Sequence, residues 1–197
     1  MNIIVVFGVV LLHLTTTLSL NFVERKLIVY YHNKYRKLIV DGAIEGQPSA
    51  RYMMKLTWDR ALARNAQRLA NKCRVGHDTA VERATKQYPL VGQNWAGAGG
   101  LLQALRMWFE EYRDYDYWTN RCRAGKMCGH YTQMIWSETK KIGCGMKKCY
   151  SKSFPYKYSI VCNYGPAGNF LDQRPYVSDE FAFDIDDYLA YMIDNFR

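Results

Sequence analysis

Six cysteines and four histidines have the most chemistry to offer in this chain, and their spacing limits what that chemistry is. Cys73, Cys122, Cys128, Cys144, Cys149 and Cys162 include no Cys-x-x-Cys pair with which a structural zinc site would begin. No His-Glu-x-x-His helix and no Gly-x-Ser-x-Gly elbow occurs, so neither a zinc-peptidase nor an α/β-hydrolase signature is encoded. An even cysteine count instead reads as disulfides, provided the chain reaches an oxidising compartment. The first nineteen residues predict that it does. Ile3 to Leu12 are apolar apart from Gly8, and Thr15-Thr16-Thr17-Leu18-Ser19 follow, the layout of a signal peptide over 1–19 with the mature chain starting at Leu20. Polar residues begin at His13, so the run falls short of the roughly 20 apolar residues of a membrane span. The expectation is a secreted, extracellular protein whose bridged cysteines leave no thiol nucleophile.

A second group is aromatic. Trp108, Phe109, Tyr112, Tyr115, Tyr117 and Trp118 fall within eleven residues, just before Cys122. Trp108 and Phe109 sit inside a predicted helix and are expected in the core. Tyr112, Tyr115, Tyr117 and Trp118 are the candidate lipid-binding residues: exposed rings beside a disulfide-anchored loop would close over a flat hydrocarbon ring system. Charge supplies a third signal. Residues 178–197 hold six acids and one base, whereas residues 20–177 hold 26 bases and 12 acids, a net of +14 against −5. Such a body favours anionic partners, a membrane surface or a sulfated glycan; secretion makes nucleic acid the least suitable of them.

These groups need elements to position them. Asn21-Phe22-Val23-Glu24 has the form of a capping box, predicting a first helix to about Leu38. Leu62, Ala66, Leu69 and Cys73 recur at helical spacing, predicting a second over Trp58–Cys73. Residues 74–100, with Pro89 and the glycines 92, 97, 99 and 100, read as irregular. Further helices are predicted over Leu101–Tyr112 and His130–Trp136. Lys141–Lys148 and Tyr156–Asn163 then form a β-hairpin. A turn centred on Ser153 sets Cys144 opposite Cys162, within bridging reach. Cys149, an odd number of residues from Cys144, points to the other face and needs a partner elsewhere; Cys73 is available, which leaves Cys122 with Cys128. Many pairings of six cysteines remain open in principle, and the hairpin favours this one. The tail over 178–197 carries Ile185, Leu189, Met192 and Phe196 on one side and aspartates on the other, predicting an acidic amphipathic helix that docks on the basic body.

Two longer strings go further. Gly129-His130-Tyr131-Thr132-Gln133-Met134-Ile135-Trp136-Ser137-Glu138-Thr139 and Ile160-Val161-Cys162-Asn163-Tyr164-Gly165-Pro166-Ala167-Gly168-Asn169-Phe170 resemble the two signatures of the CAP superfamily. That group contains the cysteine-rich secretory, antigen-5, venom allergen-like and plant pathogenesis-related proteins. His32-Asn33 with Arg36, Trp58-Asp59 and Gln173-Arg174-Pro175-Tyr176 extend the similarity over about residues 23 to 176. The resemblance implies an α+β fold over 20–177, an α-β-α sandwich with a small antiparallel sheet between helical layers. It also implies three disulfides, Cys73–Cys149, Cys122–Cys128 and Cys144–Cys162.

The family's cleft usually holds two histidines and two glutamates. His77, Glu111 and His130 match three of the four, and Gln93 stands where the second glutamate falls. Two imidazoles and one carboxylate suit a divalent metal such as zinc, more weakly than the full set; no cofactor is required. Where proposals for hydrolysis use a hydroxyl beside the first histidine, this chain has Asp78, and no enzymatic activity is expected. The resemblance also implies sterol capture at the aromatic loop, although the strict ring spacing of that motif is not met, or fatty-acid capture between helices. The competing expectation is an antigen-5-like effector that meets a host protein through surface loops.

Overall fold

The computed structural model describes residues 20–150 and 152–180. The predicted signal peptide and the predicted tail helix from residue 181 onward lie outside the described residues. Among those described, no helix is long and apolar enough to cross a membrane.

The chain runs α1 (Phe22–Val40), β1 (Thr57–Trp58), α2 (Arg60–Asn71), α3 (Ala80–Arg83), β2 (Gly92–Ala98), α4 (Leu101–Glu110), a 3-10 turn (Glu111–Asp114), β3 (Tyr115–Asp116), β4 (Arg121–Cys122), α5 (Gly129–Met134), β5 (Lys141–Lys148) and β6 (Tyr158–Gly165). The capping box is formed: Asn21 Oδ1 accepts from the Glu24 N–H at 2.9 Å, and the Asn21 N–H donates to Glu24 Oε2 at 2.7 Å. Ile28, His32, Arg36 and Ile39 line the buried face of α1. Asp59 caps α2 by accepting from the Leu62 N–H.

The main sheet has the order β1-β5-β6-β2, with β1 parallel to β5 and the other neighbours antiparallel. Side-chain alternation gives it two faces. Towards α2 it presents Gly143 and Gly145, where an added Cβ would lie 2.2 Å from the Ala63 nitrogen and 2.4 Å from Gln67 Cα. The helix therefore rides directly on the strand, and Val161 packs with Ala66, Leu69 and Ala70. The opposite face gives Ile142, Cys144, Ile160, Cys162 and Tyr164 to the core shared with Ile28, Ile39, Leu105, Trp108 and Tyr131. This is the expected α-β-α sandwich.

The disulfides follow from this register. Cys144 lies directly opposite Cys162 and bonds to it. Cys149 reaches Cys73 just past α2, on the other face, and Cys122 closes a short loop with Cys128. Arg36 fastens the layers together. It is buried without a carboxylate, and its guanidinium donates to the carbonyls of Met54, Met134, Trp136, Ser137 and Thr139 at 2.6–3.3 Å. Burial pushes its pKa down to about 9.

Two predicted boundaries are corrected. Trp58 belongs to β1 and not to the second helix, because the Asp59 side chain starts the helix after it. Residues 74–100 are not irregular: they include α3 and the seven-residue strand β2. Its glycines mark close approach instead of a loop. A Cβ on Gly97 would enter the Tyr156 ring, and one on Gly92 would strike the Gln133 side chain.

Candidate functional site

A polar cleft forms where edge strand β2 meets the segments that follow α2 and α4. His77 comes from the loop between α2 and α3, Gln93 from β2, Glu111 from the 3-10 turn and His130 from the first turn of α5. Glu111 Oε2 accepts the N–H groups of His130 and Tyr131 at 3.0 and 3.2 Å, and Oε1 takes His130 Nδ1 at 2.6 Å. One carboxylate thus caps α5, where backbone donors are free, and orients the imidazole. Trp108 stacks on the His130 ring at 6.0 Å, and the His77 ring lies 6.5 Å from it on a near-parallel plane.

His77 Nδ1 lies 2.9 Å from Gln93 Oε1. An amide oxygen only accepts, so Nδ1 carries the proton and Nε2 is left as the basic nitrogen. The same tautomer follows for neutral His130, whose Nδ1 faces a carboxylate. Neither Nε2 has a hydrogen-bond partner among the described residues. Imidazoles held through Nδ1 with Nε2 open are arranged as metal-ligating histidines are. The cleft brings His77 and His130 together, but Glu111 and Gln93 are engaged in holding the rings. Among the described residues no group of three or more His, Cys, Asp or Glu stands close enough to hold a metal ion. The cleft thus brings His77, Glu111 and His130 together, with the Glu111 carboxylate bound to His130 and to the start of α5.

Two residues of this network, Arg83 and Asn163, were not singled out from the sequence. Arg83 Nη1 donates to Asp78 Oδ1 at 3.1 Å, and Gln93 Nε2 donates to both Asp78 Oδ1 and Asn163 Oδ1, at 2.9 and 2.8 Å. Asp78 is therefore bound on two sides and buried. The Thr79–Glu82 capping box of α3, also formed, was the available sign that Arg83 would be held close by.

The aromatic residues divide differently from expectation. Trp108 and Phe109 are in the core. Tyr112 is half-buried between Phe109 and Tyr131. Tyr115 and Tyr117 are buried as well, which corrects the prediction of exposed rings. Tyr115 Oη donates to Asn120 Oδ1, while Tyr117 stacks on Tyr176 at 4.7 Å and donates to its carbonyl. Along the β3–β4 hairpin Tyr115 on the strand and Tyr117 in the turn face inward, the latter held by Tyr176, while Asp116 and Trp118 face outward. Of the four, Trp118 alone is exposed, at 47 %.

A groove of about 610 Å³ runs along the outer side of α1. Tyr30, Val40, Met53 and Met54 supply its apolar wall, Lys34, Lys37 and Lys55 its rim, and Arg36 lies at its base. Tyr30, Lys34 and Lys37 lie one and two turns apart on the helix. That spacing was legible, but the segment 53–55 that closes the groove was not.

A profile described as "Cysteine-rich secretory protein family" (CAP) matches residues 29–164. The chain belongs to the CAP family. Venom allergen 5 of Polistes fuscatus is 42 % identical over 166 residues, 78 % of each chain. Scoloptoxin SSD43 of Scolopendra dehaani is 37 % identical over 160 residues, covering 76 % of this chain and 72 % of its own. Among solved CAP structures, Schistosoma mansoni venom allergen-like protein 4 superposes with a TM-score of 0.72 at 32 % identity, over 83 % of this chain and 99 % of its own. The structure titled NaASP2 with Zn2+ gives 0.65 at 26 % identity, over 80 % and 87 %.

Proposed function

We propose that this CAP protein is a secreted, non-enzymatic carrier of a single-chain anionic lipid, a fatty acid, held in the groove beside α1. The observation that carries this reading is the composition of the groove: an apolar wall of ring, methyl and thioether groups under a rim of three lysines. Its volume is that of a small-molecule site. A carboxylate head would lie between Lys34 and Lys55, Lys37 being paired with Asp41 at 2.6 Å, while the chain follows Met53 and Met54. A sterol fits less well, because it has no charge for the rim and because Tyr115 and Tyr117 are withdrawn into the core. The burial of Asp78 supports a non-enzymatic reading, since His130 and Glu111 are left as a base pair beside a side chain that is itself fully bound.

Native mass spectrometry of protein secreted from eukaryotic cells, disulfides intact, tests this directly. A copurified mass of a fatty acid is expected. Displacement of a fluorescent fatty acid should weaken about fivefold or more in Lys34→Glu/Lys55→Glu, the rim charge being reversed. A sterol mass would move the ligand to the aromatic region. A protein bare before and after incubation with lipid would favour an effector acting on a host protein through surface loops.

A second reading rests on the open Nε2 atoms of His77 and His130. When bound, a divalent ion such as zinc would be held by these two imidazoles, with Gln93 and Glu111 behind them, as a weak site open on its remaining positions. The relative solved with Zn2+ supports testing it. Calorimetry should give heat with wild type and none with His130→Ala; equal heats would remove the site.

A further inference from the structure

The outer face of α2 carries a row of like charges that no acid among the described residues neutralises. Arg60, Arg64 and Arg68 are exposed and stand one turn apart, about 6 Å per step along the axis. Arg60 and Arg64 have no hydrogen-bond or ion-pair partner among the described residues. Arg68 donates to Asn65 Oδ1 and to the Glu82 carbonyl, neither of them a charge. The one carboxylate at the far end, Glu82, is taken by Lys72 at 2.7 Å. At the near end Arg25, Arg60, Arg64 and Gln67 surround a depression of about 270 Å³ beside Trp58, with no acid in its lining.

Helix energetics argue against this arrangement as a stabilising one. Like charges four residues apart repel, by about 0.2–0.5 kcal/mol per pair. Arg60 is the first residue of α2, beside the Asp59 cap, and the first turn beyond that cap contains no acid, so the positive end of the helix dipole does not favour a cation there. Repulsion along the row is relieved when an anion covers it.

We propose that the outer face of α2 is a binding surface for a sulfated polysaccharide, laid along Arg60, Arg64 and Arg68 with one sulfate group in the depression beside Arg25. Three features favour a linear glycan over a membrane. The guanidinium groups form a line, and each matches the oxygens of a tetrahedral anion in fork geometry. The exposed positions of the helix are Arg60, Arg64, Arg68 and Asn71, with no apolar side chain to enter a bilayer, which interfacial helices require. The half-buried Trp58 offers a ring at the edge of the depression on which a sugar can rest. This surface is separate from the groove beside α1, and neither proposal depends on the other.

The test is binding of a size-defined heparin oligosaccharide to the full chain across a salt series. Wild type should bind, more weakly as salt rises. Arg60→Ala/Arg64→Ala/Arg68→Ala should lose about tenfold or more in affinity with an unchanged or higher melting temperature, which establishes that it folds. Lys126→Ala/Lys140→Ala/Lys152→Ala, removing the same charge from exposed positions elsewhere, should lose less than about threefold. Equal losses in both triple variants would reduce the effect to net charge and overturn the proposal. So would absence of binding by wild type, or binding to phosphatidylserine vesicles but not to the oligosaccharide.

Discussion

The Gln93 side-chain amide donates one hydrogen to Asp78 Oδ1 and the other to Asn163 Oδ1, at 2.9 and 2.8 Å. The amide and the aspartate belong together. A carboxylate at 93 suits a hydroxyl at 78, which can donate to it; an aspartate at 78 has nothing to give and needs a donor opposite. In this chain Gln93 supplies the donor and Asp78 the acceptor, with Arg83 balancing the Asp78 charge at 3.1 Å.

Gln93→Glu should therefore destabilise the fold. It sets a second carboxylate against buried Asp78 and strips Asn163 Oδ1 of its donor. We expect a loss of about 2–3 kcal/mol in urea unfolding. Asp78→Ser/Gln93→Glu should recover a large part of it, a coupling that the double-mutant cycle measures directly.

Arg36 is a second place where donors are counted. Arg36→Met keeps much of the volume but leaves five carbonyls short of a charged donor, so a loss on the order of 3 kcal/mol or more is expected in denaturant unfolding. Arg36→Lys should fall between the two, because an ammonium has fewer donors and no planar fork. A methionine variant as stable as wild type would show that water replaces the guanidinium without cost.

How much of this was legible depends on whether the signal was local. The capping box at Asn21, the Leu62, Ala66 and Leu69 stripe of α2 and the opposition of Cys144 and Cys162 each follow from spacing within one element or hairpin and are formed, whereas Cys73, predicted on the same helix face, lies beyond the end of α2 at Asn71. Strand β2 was hidden because its glycines, at 92 and 97, have the composition of a loop; their purpose, admitting Gln133 and Tyr156, exists only in the assembled sheet. The same limit applies to Tyr115 and Tyr117. Their types suggested a surface for ligands, and only the β3–β4 pairing, with Tyr176 arriving from more than fifty residues away, makes them core. The cleft was read through family resemblance, which found His77, Glu111 and His130 but could not show that Glu111 caps α5.

His32 predicts a pH dependence. Its Nδ1–H donates to the Ile28 carbonyl at 2.8 Å, so Nε2 accepts from Tyr164 Oη at 2.9 Å, and the ring is neutral. Burial pushes its pKa down to about 4. The unfolded chain protonates near 6.5, so between those values it binds the proton that the folded ring refuses. The stabilising contribution is present in full above about pH 6.5 and is lost as pH falls towards 4, amounting to on the order of 3 kcal/mol. Calorimetric melting of wild type and His32→Gln should converge as pH is lowered from 7 to 4.5. Parallel curves would mean that His32 does not drive the dependence.

The three disulfides should differ in worth because they close loops of different length. Cys73–Cys149 spans 76 residues and Cys122–Cys128 spans 6. Loop-closure entropy in the unfolded chain then gives about 4.5 kcal/mol for the first and about 2 kcal/mol for the second. The long bridge also ties the end of α2 to the end of β5, across the face where Gly143 and Gly145 let the helix sit on the strand. Removing it frees the layer that carries the arginine row, whereas removing the short one loosens the loop leading into α5 and His130. Cys73→Ala/Cys149→Ala should therefore lower the melting temperature more than Cys122→Ala/Cys128→Ala. The second variant, though more stable, should show the larger loss of order around His130 by NMR. A short-loop variant with the lower melting temperature would indicate that the start of α5, held by Glu111 and that loop, is the weaker part of the fold.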